Sequence, residues 1–143
     1  MMQNSLAKPR CFVMPSPSNP IVYVVDDDAG VLGSLRFLLE ADGFDVRTFR
    51  SGGSLLKAAH AVRVDCFVID YKMPDMNGID LVSHLRHRNI AAPIILITGY
   101  PDQNISVRAD AAGVHDVLLK PHLEESLVTR IRCAIQQAGA VSG

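Results

Sequence analysis

Five short β-branched runs recur along the chain, each followed by a segment whose apolar positions return every three to four residues. IVYVV at 21–25 is apolar throughout, which predicts a strand buried on both faces. Val31, Leu32, Leu35, Leu38 and Leu39 then share one face of a helix that Gly43 ends. DVRTF (45–49) alternates like a strand near a sheet edge, and SGGSLLKAAH (51–60) predicts a second helix, weakened by its two glycines. CFVID (66–70) predicts a third strand and 78–88 a helix with Ile79, Val82 and Leu85 inward. IILIT (94–98) predicts a fourth strand, followed by a helix over 102–112 closed by Gly113. DVLLK (116–120) is the fifth, and a last helix over 123–137 carries Leu127, Val128, Ile131 and Ile135 on its buried stripe. Strands and helices in strict alternation predict an α/β fold, a parallel sheet covered by helices on both faces.

Residues 1–20 fall outside this pattern: Pro9, Pro15, Pro17 and Pro20 among Ser and Asn predict a flexible leader. Residues 138–143, AGAVSG, have no periodicity and are expected to form a tail after a folded unit over 21–137. No apolar run approaches a membrane span, and the apolar stretch near the N-terminus is too short for a signal peptide, so a cytoplasmic location is expected. With 143 residues, 48% hydrophobic and 20% charged, the chain builds one core that needs neither metal nor disulfide for stability. Fourteen Lys and Arg against fifteen Asp and Glu give a net charge of −1, which argues against nucleic acid as a direct partner. Cys11, Cys66 and Cys133 are far apart in sequence and odd in number, which predicts reduced thiols, Cys66 and Cys133 serving as small core residues.

The polar residues gather at the strand ends. The first predicted strand ends in Asp26, Asp27 and Asp28, the third in Asp70, the fourth in Thr98 and the fifth in Lys120. In an open α/β sheet ligands bind outside the carboxyl ends of the strands, so these groups face one crevice. Asp28 is best explained as the cap of the helix that follows. Asp26, Asp27 and Asp70 are not, because two like charges about 4 Å apart repel by about 4 kcal/mol at an effective dielectric near 20, and three converging carboxylates need a cation. An all-oxygen site without His or Cys suits magnesium, which is commonly shared with a phosphate. Lys120 can meet one phosphoryl oxygen and the Thr98 hydroxyl another. Asp70, facing the acidic pair from the adjacent strand, is placed to act as a nucleophile and form an acyl phosphate.

VVDDD at 24–28, DYKMPDMNG at 70–78, Thr98-Gly99 and Lys120-Pro121 together resemble the receiver domain of bacterial two-component response regulators, over about 21–137. The resemblance implies a flavodoxin-like (βα)5 three-layer sandwich with strand order 2-1-3-4-5. It implies that Asp70 accepts phosphate from a histidine kinase or histidine phosphotransfer protein, that Asp27 binds Mg2+ directly and Asp26 mostly through water, and that the Lys72 carbonyl completes the protein ligands. Thr98 and Lys120 would read the phosphoryl group. A stand-alone switch protein is expected, signalling through its fourth helix, fifth strand and fifth helix with groups such as Tyr100, Arg108, Leu118 and His122; a phosphorylation-linked homodimer is left open.

Three departures from the family's pattern stand out. Val117 stands where receivers carry Phe or Tyr, a ring that swings inward as the threonine moves, which predicts a weakened switch. Lys72 and Tyr100, two residues after Asp70 and Thr98, fall where such domains line the approach of the hydrolytic water. Pro101 should stiffen the start of the fourth helix. More ordinary roles are expected for Pro74 in a turn, Met73 as filler beneath it, and Gly78 in a tight approach to the next helix. Gly99 suits either a plain turn or the need to leave a phosphate uncrowded. His84, His87, His115 and His122 are expected on the surface, and Arg86, Arg88, Arg130 and Arg132 on solvated helix faces. Three alternatives compete. A haloacid-dehalogenase-like phosphatase would need Thr or Val where Gly30 stands; the others are a scaffolding receiver with little phosphotransfer and the receiver half of a truncated DNA-binding regulator.

Overall fold

The computed structural model describes residues 19–59, 63–99, 102–120 and 124–142. The leader apart from Asn19 and Pro20, and the expectations for Cys11, Tyr100, Pro101 and His122, lie outside the described residues. The strands are β1 (Ile21–Val25), β2 (Asp45–Phe49), β3 (Cys66–Asp70), β4 (Ile94–Thr98) and β5 (Asp116–Leu119). The helices are α1 (Ala29–Ala41), α2 (Gly52–Ala59), α3 (Gly78–His87), α4 (Gln103–Ala112) and α5 (Glu124–Ser142). All strands pair in parallel in the order β2-β1-β3-β4-β5, as the resemblance implies.

The interior strands are apolar on both faces because both are covered. Tyr23, Phe67, Ile69 and Leu96 point to one side, against Leu55 of α2, Leu81 and Leu85 of α3 and Ile105 of α4. Val22, Val24, Val68, Ile95 and Ile97 point to the other, against Leu35 and Leu39 of α1 and Leu127 and Ile131 of α5. The edge strand β2 keeps its alternation, with Val46 buried between exposed Asp45 and Arg47.

The helix ends follow local chemistry. Asp28 caps α1 as expected, its Oδ1 accepting from Gly30 N at 2.8 Å and Val31 N at 3.2 Å. Asp102 caps α4, and Gly113 closes it in the left-handed conformation at φ 91°.

Three expectations need correction. The stretch read as a tail is helical: α5 continues to Ser142, each residue adding to a helix already nucleated even without an apolar stripe. Cys133 is disulfide-bonded, not a reduced thiol, whereas Cys66 is free and fully buried, and burial pushes its thiol far up from the ordinary range. The arginines expected on solvated faces also staple elements together: Arg88 and Arg130 are exposed, whereas Arg86 and Arg132 are half-buried. Arg86 donates to the carbonyls of Ile90 at 2.7 Å, Ala92 at 2.9 Å and Gly113 at 3.0 Å. Arg88 donates to the Leu56 carbonyl, Arg130 pairs with Asp116, and Arg132 pairs with Asp42 while stacking 4.4 Å over the Phe44 ring. The long arginine stem lets a residue on an outer helix face reach a carbonyl elsewhere. His84, His87 and His115 are exposed, as expected.

Candidate functional site

Parallel pairing brings the carboxyl ends of β1, β3, β4 and β5 to one edge of the sheet. Val25 is opposite Ile69, so Asp26 and Asp70, one residue further on, are neighbours. One oxygen from each of Asp26, Asp27 and Asp70 lies within 4.8 Å of the others. Asp26 is fully buried and Asp70 only 4% exposed, while Asp27 is exposed. Lys120 closes the group from β5, its Nζ 2.9 Å from Asp26 Oδ2 and 3.2 Å from Asp70 Oδ1.

The hydrogen bonds around Asp26 are asymmetric. Oδ1 accepts from Asp28 N at 2.9 Å, which turns the chain out of β1. Oδ2 is buried and receives no directed hydrogen bond, so its closeness to Lys120 is an attraction of charges that leaves lone-pair capacity unused. Three carboxylates facing one ammonium leave excess negative charge in a low-dielectric place, and every donor is a hard oxygen. That set fits a small divalent cation such as magnesium.

The titration behaviour follows. Burial, then the charge of Asp26, pushes the Asp70 carboxyl up from 3.8 to about 6, against the opposing pull of Lys120. Burial acts to lower the Lys120 ammonium, but its close ion pair with Asp26 and the charge of Asp70 outweigh that and hold it above its ordinary value. The pair is therefore a raised carboxyl beside a firmly protonated lysine.

A cavity of about 530 Å3 opens over these groups, lined among others by Asp27, Asp70, Lys72, Gly99 and Lys120. Met73 is buried beneath it, as expected, and Pro74 lies at its rim. Gly78 is where contact is tightest: a Cβ there would stand 2.7 Å from both the Asp70 carbonyl oxygen and Leu96 Cδ1. Gly99 has open space around it and no positive φ, so neither a turn nor crowding by protein requires glycine. A larger cleft of about 920 Å3 lies at the opposite end of the sheet, but its central cation, Arg86, is already committed to backbone carbonyls.

Thr98 is buried at the end of β4 and lines a second cavity of about 300 Å3 with Ile105, Val117 and Leu119. This is the space that a ring at 117 would enter. Leu118, expected on the partner face, is buried in the core beneath α5; the period of two along β5 puts Leu119 outside instead, 47% exposed. Arg108 is exposed on α4, and its guanidinium donates to the Tyr71 hydroxyl at 3.3 Å. Two contacts had no sequence signal: Arg50 donating to the Asp27 carbonyl at 3.2 Å, and Asp75 accepting from Gly52 N and Gly53 N. Each joins residues more than twenty positions apart that only the fold makes neighbours.

A family model described as the response regulator receiver domain matches residues 22–132. The chain belongs to that family. Among curated relatives, this receiver is 37% identical over 117 residues to the transcriptional regulatory protein FixJ of Bradyrhizobium diazoefficiens, covering 82% of this chain and 57% of that one. It is 35% identical over 118 residues to the response regulator protein TodT of Pseudomonas putida, covering 82% and 52%. The chain thus spans about half the length of the curated relatives it matches. Among solved structures, a CheY-like response regulator receiver domain protein from Methanospirillum hungatei superposes with a TM-score of 0.82 at 26% identity, covering 87% of this receiver and 99% of that chain. Full-length FixJ from B. japonicum gives 0.80 at 34% identity, covering 87% and 62%.

Proposed function

We propose that this receiver takes a phosphoryl group onto Asp70 from the phosphohistidine of a sensor histidine kinase or a histidine phosphotransfer protein, in a magnesium-dependent reaction in the cytoplasm. The observation that carries the reading is the convergence of Asp26, Asp27 and Asp70 with Lys120 at the carboxyl edge of the sheet. Magnesium would be held by Asp27 and Asp70 directly, by the Lys72 carbonyl and by Asp26 mostly through water; when bound it offsets the negative charge of the phosphoryl oxygens. A carboxylate oxygen of Asp70 attacks phosphorus. The O–P bond forms as the P–N bond to the imidazole breaks, and the electron pair of that bond stays on the imidazole nitrogen. Lys120, already 3.2 Å from Asp70 Oδ1, meets one phosphoryl oxygen, and the Thr98 hydroxyl donates to another. Lys72, lining the cavity, shapes the approach of the water that later hydrolyses the acyl phosphate.

The output face lies on α4 and β5, through Arg108 and the exposed Leu119, and the near-neutral net charge supports a protein partner there. No helix among the described residues is long and apolar enough to cross a membrane. Incubation with acetyl phosphate and magnesium is expected to add one phosphoryl group by intact mass, and Asp70→Asn to abolish the addition. Undiminished labelling of that variant refutes the assignment.

A further inference from the structure

The loop from Tyr71 to Asn77 follows the phosphoacceptor directly and carries the Lys72 carbonyl, and it is fixed at two points. At its exit Gly78 N donates to the Tyr71 carbonyl at 2.7 Å, closing the loop on its own start. In its middle, Asp75 reaches α2: Oδ1 accepts from Gly52 N at 3.3 Å and Oδ2 from Gly53 N at 3.0 Å. The first N–H groups of a helix have no partner within it. In α2 they are divided between a local cap, Ser51 Oγ accepting from Ser54 N at 3.2 Å, and this remote carboxylate. Met76 seals the contact, since a Cβ on Gly52 would stand 2.8 Å from its Sδ. Gly52, one of the two glycines that weaken α2 as a helix, is therefore what lets the loop lie directly on its end. Ser51 alone would supply an ordinary cap, and the second acceptor anchors a segment that has no strand or helix of its own.

We infer that Asp75 is a positioning residue for the metal site: by tying the 71–77 loop to the N-terminus of α2 it sets where the Lys72 carbonyl stands relative to Asp26, Asp27 and Asp70. This rests on the magnesium reading above.

The test is calorimetric titration of MgCl2 into the full chain, as wild type, Asp75→Ala, Asp75→Asn and Ser51→Ala. Removing a partner that orients a metal ligand typically weakens affinity about 10–100-fold, and a loop held by one part-buried and one exposed bond belongs at the lower end. Asp75→Ala is expected to raise the Kd about tenfold. Asp75→Asn, which keeps one acceptor oxygen, should fall between it and wild type. Ser51→Ala, which uncaps the same helix end without touching the loop, should leave the Kd unchanged. Loss of a negative charge also weakens cation binding, but at 1 M salt that effect is screened beyond about 3 Å. A ratio of Asp75→Ala to wild-type Kd that persists in 1 M NaCl supports positioning, and a ratio that collapses to one there overturns it. Equal weakening by Ser51→Ala also overturns it, by making the effect one of helix stability. Wild-type binding that Asp75→Ala leaves intact overturns this inference alone, whereas no binding by the wild type overturns the magnesium reading and the inference together.

Discussion

Asp70→Asn should make the protein more stable at neutral pH while destroying the proposed phosphoacceptor. The carboxyl of Asp70 is raised from 3.8 to about 6 by burial and by the charge of Asp26. The folded state thus binds this proton more tightly than the unfolded state does, and stability falls as pH rises from the unfolded value through the folded one. At about 1.4 kcal/mol per pH unit, the interval costs about 3 kcal/mol once both states are ionised. Asparagine has nearly the same shape and never ionises. It keeps an oxygen for Lys120 and turns an N–H toward Asp26, where repulsion stood. Allowing for imperfect accommodation of the amide, we expect a gain of about 1 to 3 kcal/mol at pH 7.5, shrinking to about half at pH 5, where the folded carboxyl is already mostly protonated. Urea unfolding in a chelator at both pH values measures it. A variant no more stable than wild type at pH 7.5, or a gain that does not shrink on acidification, would refute the claim that Asp70 is ionised at a cost.

Three further outcomes follow from the same geometry. Magnesium at 100 times its Kd should stabilise the chain by about 2.7 kcal/mol, and Asp27→Ala should remove most of that gain; calorimetric melting with and without MgCl2 decides, and indifference of the wild type to the ion refutes convergent ligation. Gly78→Ala should cost about 3 kcal/mol, because the added Cβ meets a backbone carbonyl oxygen at 2.7 Å that cannot move without moving Asp70; a loss within 0 to about 0.5 kcal/mol in urea unfolding contradicts this. Phosphorylation should alter amide exchange in α4 and β5 only weakly. Val117 lacks a ring to bury, and about 100 Å2 of forgone burial at about 25 cal/mol per Å2 removes about 2.5 kcal/mol of coupling. Val117→Tyr, which can fill the cavity beside Thr98, should enlarge the response, and large changes centred on β5 in the wild type count against the idea.

The strands were legible because a doubly covered parallel sheet writes its interior strands as apolar runs and its edge strand β2 as an alternation, and β1 to β4 have the bounds their sequences imply. The site was legible for a related reason: its residues come immediately after those runs, so knowing where a strand ends is knowing where a ligand group stands. What escaped notice depends on contacts across the fold. Asp75 has no distinguishing sequence signal until α2 is set beside it, and Arg86 reads as a surface cation until three carbonyls are found around its guanidinium. Leu118 and Leu119 are indistinguishable by hydrophobicity, and only the phase of the short edge strand β5 decides which one meets solvent. The full length of α5 is not legible because its final turns carry no apolar stripe to signal a helix.

The Arg86 staple makes α4 a lever with a fulcrum. One end of that helix, at Gly113, is bolted by the guanidinium to the α3–β4 connection, and the other, at Asp102, borders the cavity beside Thr98. With that end tied, a displacement at the Thr98 end would act on α4 as a tilt about Gly113 more than as a slide. Ten residues span about 15 Å, so a tilt of about 10° carries the Asp102 end roughly 2.6 Å while Gly113 stays still. A partner that grips the first turn of α4 would feel the full stroke, and one that grips the last would feel none.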